Sequence, residues 1–238
     1  MTLPEPFYQD DYATIYNARC EEVLPFVLPC DLVCTDPPYG IDENSKKARS
    51  RVNLAASGVK YGSFDWDKSP PPSWVLDMLR AQTRYQVFFG GNYFHLPPSS
   101  CWLVWDKENG LNDFADCELA WTNFPKAVRR IKWRWQGMLQ EDMANKEPRF
   151  HPTQKPLPVM QWALSHVPEF GTLVDPYMGA GTTLVAAKII GKKAIGIDRN
   201  EEYCEAAALR LQQEYLPLDT EPSPKLTEQS LPFPDQTK

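Results

Sequence analysis

The chain has 238 residues and a formal net charge of −6 at pH 7, a length that fits one α/β domain with its own core. The negative charge argues against a protein that coats nucleic acid nonspecifically. No cysteine pair has C-x-x-C spacing, and we find no secretory leader and no apolar stretch long enough to cross a bilayer. We therefore predict a reduced, cytoplasmic protein without a membrane role. With 3 histidines and no ligand cluster, we expect no metal.

Apolar patterning predicts alternating strands and helices along the chain. Strands are predicted over ATIY (13–16), DLVCT (31–35), QVFFG (86–90), CWLVWD (101–106), TLVD (172–175) and KKAIGID (192–198). CELAWT (117–122) and KAVRRIKWRW (126–135) are predicted to form a further strand pair. Helices are predicted over 20–27, 73–84, 156–167, 181–190 and 201–215. This alternation is typical of a mostly parallel sheet covered on both faces.

The segment DPYMGAGTT (175–183) predicts a cofactor loop. A strand ends at Asp175, the loop carries Gly179 and Gly181, and a helix starts near Thr182. The next strand ends at Asp198, an acid that can accept hydrogen bonds from both ribose hydroxyls. The loop lacks a full G-x-G-x-x-G and a G-K-[ST], so a ligand with a ribose but no pyrophosphate, such as S-adenosylmethionine, fits better. The alternative is a tight strand-to-helix turn with no ligand.

The segment HPTQKP (151–156) adds polar groups upstream of that loop. Lys155 is predicted to reach the carboxylate of the methionine portion of the cofactor. An exposed lysine is otherwise most often only solvated.

The segment DPPYG (36–40) ends the strand over 31–35. Pro37 and Pro38 force a stiff turn, and the strand end opens onto the same crevice as the glycine loop. Asp36 and the Pro37 carbonyl can accept hydrogen bonds from an exocyclic amino group, while Tyr39 can stack on the base that carries it. Because that amino group is out of reach inside a duplex, the base has to flip out. The alternative is a proline-rich surface turn.

These three motifs together resemble the amino-group DNA methyltransferases of the β class, in which the catalytic motif precedes the cofactor motif. WDKENGLNDFADCELAW (105–121) is also similar to prophage-type members. The resemblance implies an α/β, Rossmann-like S-adenosylmethionine-dependent methyltransferase fold with a mixed, seven-stranded sheet and one antiparallel strand. It assigns catalysis to Asp36, Pro37, Pro38 and Tyr39. It assigns the cofactor site to His151, Thr153, Lys155, Asp175, Gly179, Gly181, Thr182 and Asp198.

The domain prediction follows from the same resemblance. Residues 1–215 form a single methyltransferase domain, with target-recognition insertions around 44–70 and 106–150, and the polar tail over 216–238 is predicted to be disordered. Homodimers occur in the family, and the sequence leaves the oligomeric state open.

The sequence departs from the family at Ala18 and Arg19, where members often carry Gly-Asp near the cofactor's adenine. Either Glu21 or a main-chain group substitutes for that acid, or cofactor affinity is altered. Asp36 at the head of the motif favours adenine N6 over cytosine N4 in this family. A cytosine C5 enzyme needs a nucleophilic cysteine, and Cys30 precedes its strand, so we interpret Cys30 as structural. A catalytically idle DNA-binding module and an RNA or protein substrate remain alternatives.

Two basic segments are predicted to contact double-stranded DNA. The first is the loop next to the catalytic motif, and the second is the strip within KAVRRIKWRW. Their basic residues are Lys46, Lys47, Arg49 and Arg51 in the loop, and Lys126, Arg129, Arg130, Lys132 and Arg134 in the strip. A solvated strand or loop with no DNA contact has the same composition. The target sequence does not follow from these residues.

Overall fold

A computed structural model of the chain describes residues 2–41, 69–110, 115–136, 139–150 and 153–213. Its strands are β1 Tyr8–Gln9, β2 Ala13–Asn17, β3 Cys30–Thr35, β4 Thr83–Phe89, β5 Trp102–Asp106, β6 Cys117–Thr122, β7 Arg129–Lys132, β8 Trp135–Gln136, β9 Leu139–Gln140, β10 Thr172–Asp175 and β11 Lys193–Asp198. Its helices are α1 Cys20–Val27, α2 Ser73–Gln82, α3 Leu157–Ser165, α4 Thr182–Ile189 and α5 Glu201–Gln212, with a 3₁₀ turn over Gly91–Tyr93.

A mixed nine-stranded sheet organises the domain, in the order β1-β2-β11-β10-β3-β4-β6-β5-β7. The strands β2, β11, β10, β3 and β4 are parallel, whereas β6 runs antiparallel to both of its neighbours and β1 runs antiparallel to β2. The short strands β8 and β9 form a separate antiparallel pair. The next strand of the sheet after β10 in the chain is β11, which lies on one side of it, and the next after β3 is β4, which lies on the other side. The strand order therefore reverses between the neighbouring strands β10 and β3. Ligands of doubly wound sheets bind at such a reversal.

Helices cover the two faces of the sheet. Strand side chains alternate between the faces, as Leu32 and Cys34 of β3 lie in one apolar cluster and Val33 in the other. Helices α3, α4 and α5 pack on the first face, and α1 and α2 pack on the second. This arrangement confirms the predicted α/β class with helices on both faces. No helix in the described part of the chain is long and apolar enough to cross a membrane.

The number of strands and one pairing differ from the expectation. The sheet has nine strands instead of seven, because β1 and β7 extend its two edges. The segments 117–122 and 126–135 both contain strands, as expected, but they do not pair with each other. β5 lies between β6 and β7 and pairs with both. Patterning predicts that a segment is a strand, whereas its neighbour in the sheet depends on contacts distant in sequence.

Some predictions fall outside the described residues. These are the disordered tail over 216–238, nearly all of the insertion around 44–70, and His151, Lys46, Lys47, Arg49 and Arg51.

Candidate active site

A cavity of about 300 Å³ lies at the carboxyl edge of the parallel strands. Ala18, Asp36, Asp175 and Asp198 line it. These residues lie at or just beyond the carboxyl ends of β2, β3, β10 and β11. The fold thus brings the two motifs that the sequence separates by more than a hundred residues to one cavity, on either side of the strand reversal.

The glycine loop forms the floor of this cavity with Met178 and Ala180. The backbone N–H of Met178 donates to the carbonyl of Ile197 on β11 at 3.1 Å, and the N–H of Gly181 donates to the carbonyl of Met178 at 2.9 Å. Gly181 has φ of 73°, and a Cβ there would lie 2.7 Å from Cβ of Ala207 on α5. Only glycine meets both constraints, so the loop packs closely between β11 and α5.

Asp198 anchors the other side of the loop. Its Oδ2 accepts a hydrogen bond from the N–H of Gly179 at 3.0 Å, and its Oδ1 accepts one from the N–H of Asn200 at 2.8 Å. Burial raises the pKa of Asp198 to about 6, against the opposing effect of these donors. The carboxylate is therefore fixed in direction at the cavity wall and can accept further bonds from a ligand.

Asp175 is 2% exposed and holds the loop from beneath. Its Oδ1 accepts hydrogen bonds from the hydroxyl of Thr35 at 2.7 Å and from the N–H of Tyr177 at 3.2 Å. Burial raises the pKa of Asp175 to about 6. Thr182, also predicted at the cofactor site, begins α4 and lies on the cavity wall.

The catalytic motif has a fixed geometry. Tyr39 donates its hydroxyl hydrogen to Oδ1 of Asp36 at 2.5 Å, while Pro38 lies on the cavity wall and Pro37 is buried beneath it. The Tyr39 ring lies so close to Gly90 that a Cβ on that residue would fall 2.0 Å from it. One face of the ring stacks on Tyr93, with centroids 4.8 Å apart.

Lys155 is 7% exposed at its side chain and lies between two carboxylates. Its Nζ donates to Oδ2 of Asp36 and lies 3.1 Å from Oε2 of Glu118. Lys155 also lines the cavity, and its binding to the methionine carboxylate stays a prediction. Gln154 and Thr153 of the same motif also line the cavity.

The charges in this cluster act on one another. Burial raises the pKa of Asp36, and Lys155 opposes that shift. Burial acts to raise the pKa of Glu118, but Lys155 and Lys107 outweigh it and lower the pKa to about 2. Burial acts to lower the pKa of Lys155, but Asp36 and Glu118 raise it above its ordinary value. Lys155 is therefore a cation, and it favours the ionised form of both carboxyl groups.

The segment where the sequence departs from its family also lies at this cavity. Ala18, Arg19 and Glu21 line the wall, beside the end of β2. The Glu21 carboxylate pairs with the Arg19 guanidinium at 3.1 Å, on the protein's outer side. Glu21, a main-chain group or altered cofactor affinity stay the alternatives for the missing acid.

The basic strip lies on β7 and its flanks, at one edge of the sheet. All five predicted side chains are exposed, although Lys132 pairs with Glu108 at 2.9 Å and Arg130 lies 3.8 Å from Asp106. β7 runs parallel to β5, so its carboxyl end reaches the same side of the sheet as the cavity.

Three residues at the site, Glu118, Arg210 and Glu147, were not predicted from the sequence. Glu118 is the second residue of the antiparallel strand β6, so it does not lie at the carboxyl end of its strand, where site residues are expected. Arg210 of α5 donates to the Ala180 carbonyl at 2.7 Å and to Glu147 at 3.1 Å, which ties the cofactor loop to the segment before α3. Nothing in the local pattern around these residues marks them. Within the described ranges, no group of three or more side chains is arranged to hold a metal ion.

Comparisons with known proteins identify the class. The N6_N4_Mtase family, described as DNA methylase, matches residues 121–209. The Type II methyltransferase M2.LlaDCHI of Lactococcus lactis subsp. cremoris is 38% identical over 260 residues, which cover 88% of this chain and 93% of that protein. The Type II methyltransferase M.HpaI of Haemophilus parainfluenzae is 25% identical and covers 80% of this chain and 70% of its own length.

Among solved structures, the cytosine-N4-specific PvuII DNA methyltransferase superposes with a TM-score of 0.55 at 16% identity, covering 89% of this chain and 90% of that one. This likeness shows the fold. Together with the relatives, it defines a Rossmann-like methyltransferase domain.

The chain belongs to the N6/N4 family of DNA methyltransferases. Membership confirms the family predicted from the three motifs and the prediction of S-adenosylmethionine as cofactor. Adenine specificity and the roles of individual residues stay predictions.

Proposed function

We propose that the chain is a site-specific DNA (adenine-N6)-methyltransferase that moves a methyl group from S-adenosylmethionine to a flipped-out adenine in double-stranded DNA. The observation that carries this proposal is the meeting of Asp36 and Asp198 at one cavity. In this proposal Asp36 binds the amino group of the base and Asp198 binds the ribose of the cofactor. The names of the relatives, Type II methyltransferases, support a role in DNA modification.

The cavity residues fit the cofactor. Asp198 offers a fixed carboxylate for the ribose hydroxyls, and the loop that carries Gly179 and Gly181 brings backbone to the cavity. Apolar and aromatic walls, among them Met160 and Tyr177, suit the methylene and purine portions of the cofactor. In this proposal Glu21, which lines the cavity, accepts a hydrogen bond from the adenine of the cofactor.

Catalysis in this proposal depends mainly on orientation. The cofactor supplies an electrophilic sulfonium methyl group, so no covalent enzyme intermediate is needed. Asp36 accepts a hydrogen bond from the target amino group, which directs the nitrogen lone pair and stabilises the positive charge that develops there. Because Tyr93 covers one face of Tyr39, a base that stacks on Tyr39 uses the opposite face or displaces Tyr93. Stacking on an aromatic ring contributes about 1–3 kcal/mol, which offsets part of the cost of flipping.

Adenine is favoured over cytosine by Asp36, since an aspartate at the head of this motif is typical of adenine N6 enzymes in the family. Adenine and cytosine both carry an exocyclic amino group, so either base can donate a hydrogen bond to Asp36. The fold likeness to a cytosine-N4-specific enzyme is at 16% identity and carries no weight on the base.

The test is transfer of a labelled methyl group from S-adenosylmethionine to mixed-sequence duplex DNA, followed by nucleoside mass spectrometry. We expect N6-methyladenine with the unmodified chain and none with Asp36→Ala. Asp77→Ala, a change of the same kind at an exposed carboxylate on α2, serves as the matched control and should retain activity. Sequencing of the methylated DNA then gives the target site.

Other products decide between the alternatives. N4-methylcytosine that depends on Asp36 would keep the mechanism and reverse the base assignment. Cofactor binding without any product on genomic DNA, with RNA and protein substrates also negative, would favour an idle DNA-binding module.

A further inference from the structure

Each carboxylate oxygen of Asp36 already accepts one hydrogen bond before any substrate arrives. Oδ1 accepts the Tyr39 hydroxyl at 2.5 Å, and Oδ2 accepts the Lys155 ammonium. If Asp36 is to accept a hydrogen bond from the amino group of a base, that group competes with Lys155 for Oδ2. A buried ammonium cannot simply lose its partner, because an unpaired buried charge costs several kcal/mol. Lys155 therefore needs a second acceptor within reach.

Glu118 provides that acceptor. Its Oε2 is buried, and none of the described residues donates a hydrogen bond to it. Nζ of Lys155 is 3.1 Å from this oxygen, the distance of an ion pair, while it also donates a hydrogen bond to Oδ2 of Asp36. A rotation of the lysine side chain toward Oε2 would complete the bond and release Oδ2 of Asp36.

Lys107 holds Glu118 in position for this role. Its Nζ lies 2.5 Å from Oε1 of Glu118, the oxygen that faces away from Lys155. Lys107 in turn lies 5.0 Å from the centre of the Trp105 ring. Rings of Phe89 and Tyr39 lie 5.6 and 6.0 Å from the Lys155 ammonium, within the range of cation–π contacts.

We propose that Glu118 is a positioning residue for methyl transfer: its Oε2 receives the Lys155 ammonium when the amino group of the target base binds Oδ2 of Asp36. This inference rests on the proposed function and deepens it. The net charge of the four side chains Asp36, Glu118, Lys155 and Lys107 is zero in both positions of the lysine. The exchange thus moves a cation between two anions inside the site, while Asp36 keeps the hydrogen bond from Tyr39 and gains the one from the base.

Glu118 also acts on the charge that develops during the reaction. When the target nitrogen becomes positive beside Asp36, Lys155 is the nearest like charge. Moving Lys155 toward Glu118 lengthens that separation, which lowers the repulsion most strongly in a buried site where screening is weak.

The experiment compares Glu118→Gln with the unmodified chain on a duplex that carries the target site found by sequencing. Glutamine keeps the size of the side chain and removes its charge, so Lys155 stays on Asp36. We expect the single-turnover rate of methyl transfer to fall at least about tenfold, with the Kd for S-adenosylmethionine unchanged within about twofold. Glu118→Asp keeps the charge and should recover part of the rate. Glu169→Gln, at a carboxylate that is 91% exposed, is the matched control and should leave the rate unchanged.

A second readout separates positioning from a structural role. Binding is measured to two duplexes that differ only in the target base, adenine in one and purine, which lacks the amino group, in the other. The unmodified chain should prefer adenine, because Asp36 accepts from the amino group, and Glu118→Gln should lose most of that preference. In a chain that already carries Lys155→Met, adding Glu118→Gln should change this preference little, since Glu118 acts through Lys155.

The outcomes that overturn the proposal are distinct from failure of the proposed function. If Glu118→Gln keeps the rate and the adenine preference of the active parent, Glu118 has no positioning role. The proposed methyltransferase function is not affected by that result. Loss of cofactor binding and adenine binding in parallel would make Glu118 structural and would also reject the proposal. If the unmodified chain methylates no DNA, the proposed function fails, and this inference fails with it.

Discussion

Thr35 donates a 2.7 Å hydrogen bond to Asp175 across the boundary between β3 and β10. Thr35 is the residue before Asp36, and Asp175 supports the glycine loop through the N–H of Tyr177. The bond therefore joins the strand that presents the catalytic motif to the strand that presents the cofactor loop. β3 and β10 are neighbours in the sheet, and the strand order reverses between them.

We expect Thr35→Val to destabilise the fold. Valine matches the shape of threonine but removes one of the two hydroxyl donors, those of Thr35 and Thr183, from the buried Asp175 carboxylate, at a cost of about 1–3 kcal/mol. The free energy of unfolding from denaturant titration measures this loss. Thr14→Val on β2, where the threonine is half-buried, is the control and should change stability by less. Equal stability of the two variants would show that the bond has no net effect.

Asp175 should make stability fall as the pH rises. Burial raises its pKa in the folded chain to about 6, from an ordinary value of 3.8. Between these values the folded chain binds more protons than the unfolded chain, so the contribution to stability is complete below about pH 4 and is lost as the pH rises through about 6. We expect this contribution, on the order of 3 kcal/mol, to be missing from Asp175→Asn. The test is the unfolding free energy of both proteins from pH 4 to pH 7, and parallel curves would contradict the assignment.

Asp198 should make cofactor binding weaken in acid. Its pKa of about 6 belongs to the protein without ligand. The ribose hydroxyls bind the carboxylate and not the acid, so the Kd for S-adenosylmethionine should rise as the pH falls below about 6, by up to about tenfold per pH unit. Titration calorimetry from pH 5 to pH 8 measures this slope. Asp198→Asn should bind more weakly at pH 8 and show a flatter slope; a slope equal to that of the parent would place the titrating group elsewhere.

The strip on β7 should supply phosphate contacts. Replacing Arg129, Arg130 and Lys132 together by glutamine should weaken DNA binding and reduce the slope of log K against log salt by about 1–3, because each lost phosphate contact contributes about 0.9. The Kd for S-adenosylmethionine should not change.

A matched control for that variant lies at the amino ends of the parallel strands, on the side of the sheet away from the cavity. Arg84, Lys192 and Lys193 lie at the amino ends of β4 and β11, and replacing them by glutamine removes the same charge far from the cavity. If both triple variants lower the salt slope equally, the effect comes from net charge, and the strip has no specific role.

The sequence alone predicted most of the helices and strands, because each has a strong apolar period and its ends are marked by proline, glycine or an acid. It did not predict β1, β8 and β9, which are two residues each, too short for a period to be visible. It also did not predict that β5 separates β6 from β7. Pairing depends on contacts between segments distant in the chain, and no local pattern records them.

The same division holds at the site. Asp36, Asp175, the glycine loop and Asp198 were predictable because each follows a strand, and the carboxyl ends of parallel strands meet at one edge whatever the rest of the chain does. The position of Lys155 was not predictable: only the folded chain places its ammonium between Asp36 and Glu118. Glu118 reaches that edge because β6 runs antiparallel, so that its first residues and not its last lie beside the catalytic motif. Strand direction is a tertiary property, and it decides which charges share the buried site.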